Sequence, residues 1–292
     1  MRVAPARGFL AILRLVRFTA YGPLFLLTGL FGALLTFAPL DGMLTVLGLF
    51  IASSAAFGFV INDISDRDLD AHEPHPRNPL ADGTCPLSFA YATGFTLLVF
   101  SLICLALLPE PLVLLGGLEL FIFVTYSFVI EVKNIAGLDL VYHGLFPALY
   151  GAMGFILYRS PDRTAVLFFL LVFTFGAVAE IFNEIRDHAK DRLMRKNFVV
   201  VVGRVRAFGI TLVLLTMALA CIALYAIIHP RFHWLLVFVP FGLLLIHPVW
   251  QAMQDERYEK SFVQTVNARG IVLALGMIMA FSIARYSGII IL

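Results

Sequence analysis

Charge is what this chain has least of. Only 14% of its 292 residues are Asp, Glu, Lys or Arg, where a soluble domain carries roughly 25%. Hydrophobic residues make up 61%. A water-soluble fold of this size has no interior large enough to hide so much apolar surface. Cysteine is scarce too. Cys85, Cys104 and Cys221 are odd in number, and no CxxC or Cys/His cluster occurs. That excludes a disulfide framework and a zinc site, and the three read as small apolar fillers. There is no low-complexity tail and no separable soluble region. The whole chain, 1–292, therefore reads as a single transmembrane domain.

What the chain has instead is a series of apolar runs of about 20 residues, the length that crosses a bilayer as a helix. The expected spans are 18–38, 43–62, 86–108, 111–131, 138–158, 165–185, 205–228, 233–252 and 268–290. Between them stand turn formers: Pro39-Leu40-Asp41-Gly42, Pro109-Glu110-Pro111 and Ser160-Pro161-Asp162. The first run is too long for a signal-peptide core and is read as a retained helix. The expected fold is an all-α membrane protein, a bundle of about nine transmembrane helices.

The basic residues give the orientation. With the N-terminus in the cytoplasm, 17 of the 21 Lys and Arg fall on inner segments. Outer loops hold only Arg159, Arg163 and Arg231. The long polar segments, about 62–85 and 183–204, are then cytoplasmic loops. The protein is expected to be integral and multi-pass, in the inner (cell) membrane if prokaryotic.

Both polar segments open with the same pattern. One reads Asn62-Asp63-Ile64-Ser65-Asp66-Arg67-Asp68-Leu69-Asp70, the other Asn183-Glu184-Ile185-Arg186-Asp187-His188-Ala189-Lys190-Asp191. Both fit N-[DE]-I-x-D-x-x-x-D. Positions i, i+4 and i+8 share one helical face. Asn62, Asp66 and Asp70 therefore form one ladder, and Asn183, Asp187 and Asp191 a second. Acids at this spacing repel one another, and ionised groups at the mouth of a membrane bundle are costly. The arrangement calls for a counter-cation. Oxygen ligands without Cys or His point to Mg²⁺, which completes its shell with water and substrate phosphates. Two facing ladders are expected to grip a diphosphate through Mg²⁺, with Asp63 and Glu184 as further metal candidates.

The paired motifs resemble those of the UbiA superfamily of intramembrane prenyltransferases, nine-helix bundles with NDxxDxxxD after the second helix and a DxxxD-type motif after the sixth. Other landmarks agree in part. Arg77-Asn78-Pro79-Leu80-Ala81-Asp82-Gly83 is similar to an Arg-Pro-[Leu/Ile]-x-x-Gly element, with Asn78 between the arginine and the proline. Tyr126-Ser127 followed by Lys133 fits a Tyr-Ser-Lys element. Lys196 fits the lysine of a Gly-Lys-x-Thr element, with Arg195 for its glycine and Phe198 for its threonine. Asp139 and His143 resemble polar positions of the carotenoid-elongating branch.

The resemblance implies transfer of an isoprenyl group from a prenyl diphosphate to a lipophilic acceptor: a quinone precursor, a lipid alcohol or a carotenoid end. Arg67, Arg77, Lys133 and Lys196 are the expected diphosphate cations. Tyr126, Tyr142 and Tyr150 could stabilise an allylic cation, with Asp139 and His143 at the acceptor end. Expected partners are the two substrates and membrane lipids, with no nucleic acid and no obligate protein partner. Glu119 and Arg285 stand inside apolar spans, where ionisable groups are costly. Glu180, one turn before Asn183, is a candidate supporting group or further ligand. The alternatives are a cation transporter using the acidic ladders, or a family variant such as a terpene cyclase. A CDP-alcohol phosphotransferase is disfavoured because Asp82-Gly83 lacks the rest of that motif.

Overall fold

Asp41 starts the longest apolar helix of the N-terminal half. Its backbone is extended and its carboxylate accepts the N–H of Leu44 at 2.9 Å, which satisfies one orphan donor of the first turn. The helix it caps, α3 (Gly42–Asp70), has 29 residues. At 1.5 Å per residue it is about 43 Å long, longer than a hydrocarbon core of about 30 Å. One end must project, and that end carries the first acidic motif.

The computed structural model describes residues 5–17, 22–36, 39, 41–72 and 78–228. Among these all regular structure is helical: α1 (Pro5–Leu15), α2 (Gly22–Leu35), α3, α4 (Leu87–Ala106), α5 (Glu110–Val124), α6 (Leu138–Ile156), α7 (Arg163–Met194), α8 (Phe198–Val202) and α9 (Arg204–Ile228). Helix α5 runs on into a π-helical turn, Thr125–Val129, and a 3₁₀ turn spans Val132–Asn134. Among the described residues five helices are long and apolar enough to cross a membrane, ending at Asp70, Ala106, Val129, Ile185 and Leu224. The expected spans 233–252 and 268–290, and Arg285, lie outside the described residues.

Three boundaries differ from the sequence reading. The first expected span, 18–38, is a 14-residue helix from Gly22 to Leu35. The Arg-containing N-terminal stretch forms a helix of its own, α1. Neither acidic motif lies in a loop: α3 continues to Asp70 and α7 to Met194. Hydropathy marks where the apolar stretch ends, but the backbone hydrogen bonds of a helix continue into water wherever the residues allow it.

The described chain forms two compact units. The first comprises residues up to Val132 together with Leu145–Val172. Its helices pack on small residues. A Cβ on Gly32 would run into the carbonyl of Gly151, and one on Gly154 into that of Gly29. Small residues let backbones approach where lipid supplies no hydrophobic drive. Polar side chains add to this contact: Ser101 on α4 donates to Ser53 on α3 at 2.8 Å. Helix α1 packs Ala11 and Leu15 against Val60, Leu80, Cys85 and Ala90.

The second unit comprises Lys133–Gly144 and the chain from Phe173 onward. Its core joins the end of α7 to α8 and α9 through Val178, Ile181, Phe182, Ile185, Val199, Ala207, Phe208 and Leu215. Gly203, at φ +84°, makes the bend between α8 and α9 in a region that side chains rarely adopt.

Candidate active site

The first motif is built on the last two turns of α3. Asn62 donates its amide to Oδ2 of Asp66 at 3.2 Å, which joins the first two rungs of the expected ladder. Asp66 is buried, while Asn62 and Asp70 are half-buried. Asp70, the third rung, accepts the amide of Asn78 at 3.1 Å. Ser65 ties the helix to the π turn by donating to the carbonyl of Ser127 at 2.8 Å.

Asp63 has a different setting. The residue is 1% exposed and its carboxylate lies 2.6 Å from the guanidinium of Arg17, two residues past the end of α1. That guanidinium also stacks 5.3 Å above the ring of Phe59. A buried carboxylate needs such a partner, and Arg17 adopts φ +46° to supply it. Nearby, Arg14 lies 2.8 Å from Asp82. Burial pushes the Asp82 carboxyl up. The hydroxyl and amide of Thr84 and the Arg14 guanidinium outweigh it, holding the group below its ordinary value of 3.8.

The second motif lies on the last turns of α7. Glu180 lies 3.0 Å from Nε2 of His143 and accepts the amide of Asn183 at 3.1 Å. Glu184 accepts the N–H of Val199 at 2.8 Å, and Asp139 accepts that of Phe198 at 2.9 Å. These two carboxylates therefore hold the first turn of α8. Asn197 caps the same turn through Val200 N–H at 3.0 Å, and donates to Asp191 at 2.7 Å. Asp187 is half-buried.

The other expected site residues have settings of their own. Arg67 turns to its neighbour Asp68 at 2.8 Å. Lys133 is buried in its 3₁₀ turn, and Lys196 is exposed. Arg77 lies outside the described residues. Tyr126 sits in the π turn with its ring edge-on to Phe146, centroids 5.6 Å apart. Tyr142 is half-buried one turn from the start of α6. Tyr150 is fully buried and its hydroxyl lies 2.8 Å from that of Ser54.

Arg17, Asn78 and Asn197 are contacts the sequence reading did not assign. Asn78-Pro79 and Asn197, one residue before an apolar run, were the signals that could have marked the two asparagines as turn and cap residues.

Among the described residues no three His, Cys, Asp or Glu side chains converge as a preformed metal cage. The donors present are nonetheless carboxylate and amide oxygens. Mg²⁺ is commonly bound through one or two carboxylates with substrate phosphates and water completing the shell. The residues fit that ion.

Membrane-length helices carrying matched acidic ladders define a multi-pass membrane protein of the all-α class. The chain belongs to the UbiA prenyltransferase family, whose pattern it matches over residues 9–286. Solved structures share its fold. A UbiA homolog from Archaeoglobus fulgidus bound to GPP and Mg²⁺ is 22% identical, with a TM-score of 0.68 over 90% of this chain and 99% of that one. An apo UbiA homolog from Aeropyrum pernix K1 is 19% identical, with a TM-score of 0.71 over 89% and 97%. A digeranylgeranylglyceryl phosphate synthase is 15% identical, with a TM-score of 0.68 over 94% and 98%. No curated protein matches the chain at a significant level.

Proposed function

We propose that the chain, acting as one transmembrane domain, transfers an isoprenyl group from a prenyl diphosphate to a lipophilic acceptor in a Mg²⁺-dependent reaction. The observation that carries this reading is the recurrence of one acidic ladder on the overhanging ends of two membrane-length helices, in a chain of this family. Family membership speaks against the transporter alternative.

In this reading Asn62, Asp66 and Asp70, with Asn183, Asp187 and Asp191, hold Mg²⁺. The metal supplies charge neutralisation as negative charge builds on the departing diphosphate. Lys196, exposed beside the second motif, joins Arg67, Arg77 and Lys133 as a cation for the phosphates. Asp63 takes a structural part, since Arg17 engages its buried carboxylate, while Glu184, whose Oε2 accepts the Val199 N–H, stays a further metal candidate through Oε1. Tyr126 and Tyr142 remain the aromatic candidates for an allylic cation. The motif ends face the cytoplasm, where the basic residues concentrate, and the N-terminus lies on that side.

The test is diphosphate release by the purified chain in nanodiscs. Geranyl, farnesyl and geranylgeranyl diphosphate are offered with Mg²⁺ or EDTA and a panel of acceptors: 4-hydroxybenzoate, glycerol-phosphate lipids and lycopene. Mg²⁺-dependent release that rises with one acceptor supports the reading and names the substrate. No release from folded protein with any donor sinks it, and ion flux in proteoliposomes without a prenyl donor would favour transport.

A further inference from the structure

Asn78 touches the first acidic motif twice. Its amide nitrogen lies 2.7 Å from the main-chain carbonyl of Asp63 and 3.1 Å from Oδ2 of Asp70. Its Oδ1 accepts the N–H of Leu80 at 3.0 Å. Chemistry fixes which way the amide points. The Leu80 N–H can only donate and the Asp63 carbonyl can only accept, so the oxygen faces Leu80 and the NH₂ faces the motif. Asn78 is 3% exposed, so water does not compete for these bonds.

The mount is rigid. Pro79 has a fixed φ, and an Asn whose oxygen bonds the backbone two residues on is a self-contained turn. The N–H groups of Ala81 and Asp82 return to the Asn78 carbonyl at 3.1 and 3.2 Å, and that of Cys85 to the Pro79 carbonyl at 2.8 Å. Asp70, by contrast, is the last residue of α3, at a helix end that has fewer intrahelical bonds than the interior. Asn78 thus ties a carboxylate at a helix terminus to a fixed turn and to the helix backbone seven residues earlier.

We propose that Asn78 is a positioning residue: it fixes the Asp70 carboxylate, the third rung of the first ladder, and so sets the affinity of that ladder for its divalent cation. The inference rests on the reading above, in which Asp70 is a metal ligand. It gives a role to the residue that separates Arg77 from Pro79 in this chain. Groups that hold a metal ligand in place are typically worth about 10- to 100-fold in metal affinity.

The test uses the full chain in nanodiscs and follows Mn²⁺, a paramagnetic stand-in for Mg²⁺, by electron paramagnetic resonance with inorganic pyrophosphate present. Asn78→Ser keeps an oxygen for the turn and deletes the amide. Its Mn²⁺ half-saturation is expected to rise about 10-fold while its melting temperature stays near that of the wild type. Asn78→Thr, which also keeps a turn-forming oxygen, serves if the serine variant does not fold. A purely structural role would lower the melting temperature without moving the titration of the folded protein. Asp70→Asn is the control. Weakened Mn²⁺ binding in Asp70→Asn with unchanged binding in folded Asn78→Ser or Asn78→Thr overturns the role of Asn78 alone. Unchanged binding in Asp70→Asn overturns the ligand reading on which it rests.

Discussion

Arg17 and Asp63, 46 residues apart in sequence, form an ion pair at 2.6 Å in which the carboxylate is almost wholly buried. Removing the cation leaves a desolvated charge behind, which is far worse than removing both partners. Arg17→Ala should therefore destabilise the protein by about 3 kcal/mol, read as a lowered melting temperature in detergent. The double variant Arg17→Met, Asp63→Leu should recover most of the loss. A single variant as stable as the wild type would show that the pair does not hold α1 in place.

Asp66→Asn and Asp187→Asn, one from each ladder, should each lower Mg²⁺-dependent diphosphate release by orders of magnitude, on the scale of lost electrostatic stabilisation of a transition state. Circular dichroism should remain unchanged. Asp68 is off the ladder face, with a side chain 86% exposed beside Arg67. Asp68→Asn should retain most activity. Near-normal turnover in both ladder variants would remove the two-ladder site.

Glu119 is 0% exposed within α5, and among the described residues neither of its oxygens has a partner in hydrogen-bond geometry. The hydroxyl of its polar neighbour Tyr150 is engaged with Ser54. An unsatisfied buried polar group costs about 1–3 kcal/mol. Glu119→Met, similar in length, should raise the melting temperature by several degrees. A fall would mean that the acid is satisfied by a partner in the working protein, and acceptor KM would be the next quantity to measure.

The contacts of Asp82 with Thr84 and Arg14 give a pH dependence with a definite sign. The folded protein holds Asp82 below 3.8. Its contribution to stability is therefore complete above that value and is lost as pH falls through the lower, folded value. Acid unfolding followed from pH 5 downward should lose this contribution only below about 3.8. Asp82→Asn should remove that part of the acid sensitivity and leave the pH dependence at pH 5–7 as it is in the wild type. Equal acid profiles for wild type and variant would contradict the assignment.

The sequence by itself determined the membrane class, because crossing a bilayer needs only a long apolar run and each run is local. Three of the five membrane-length helices among the described residues end within a few residues of the predicted positions, and the other two, α3 and α7, continue through their motifs. The ladders were also legible, since a 3.6-residue period places i, i+4 and i+8 together whatever the tertiary fold. That α3 and α7 stay helical through those ladders follows from backbone bonding rather than hydropathy.

Only tertiary structure decided which polar side chains meet. Arg17 with Asp63, Asn78 with Asp70, His143 with Glu180, and Asp139 with the first turn of α8 are all set by helix rotation and depth. In water an amphipathic stripe would announce that rotation. In lipid the buried and the lipid-facing sides of a helix are both apolar, so the pattern along the chain carries little record of which side faces a neighbour. Asp63 and Asp66 look equivalent as letters. One is neutralised by Arg17, just past α1, and the other is joined to Asn62 on the ladder, and the packing of α1 against α3 makes that difference.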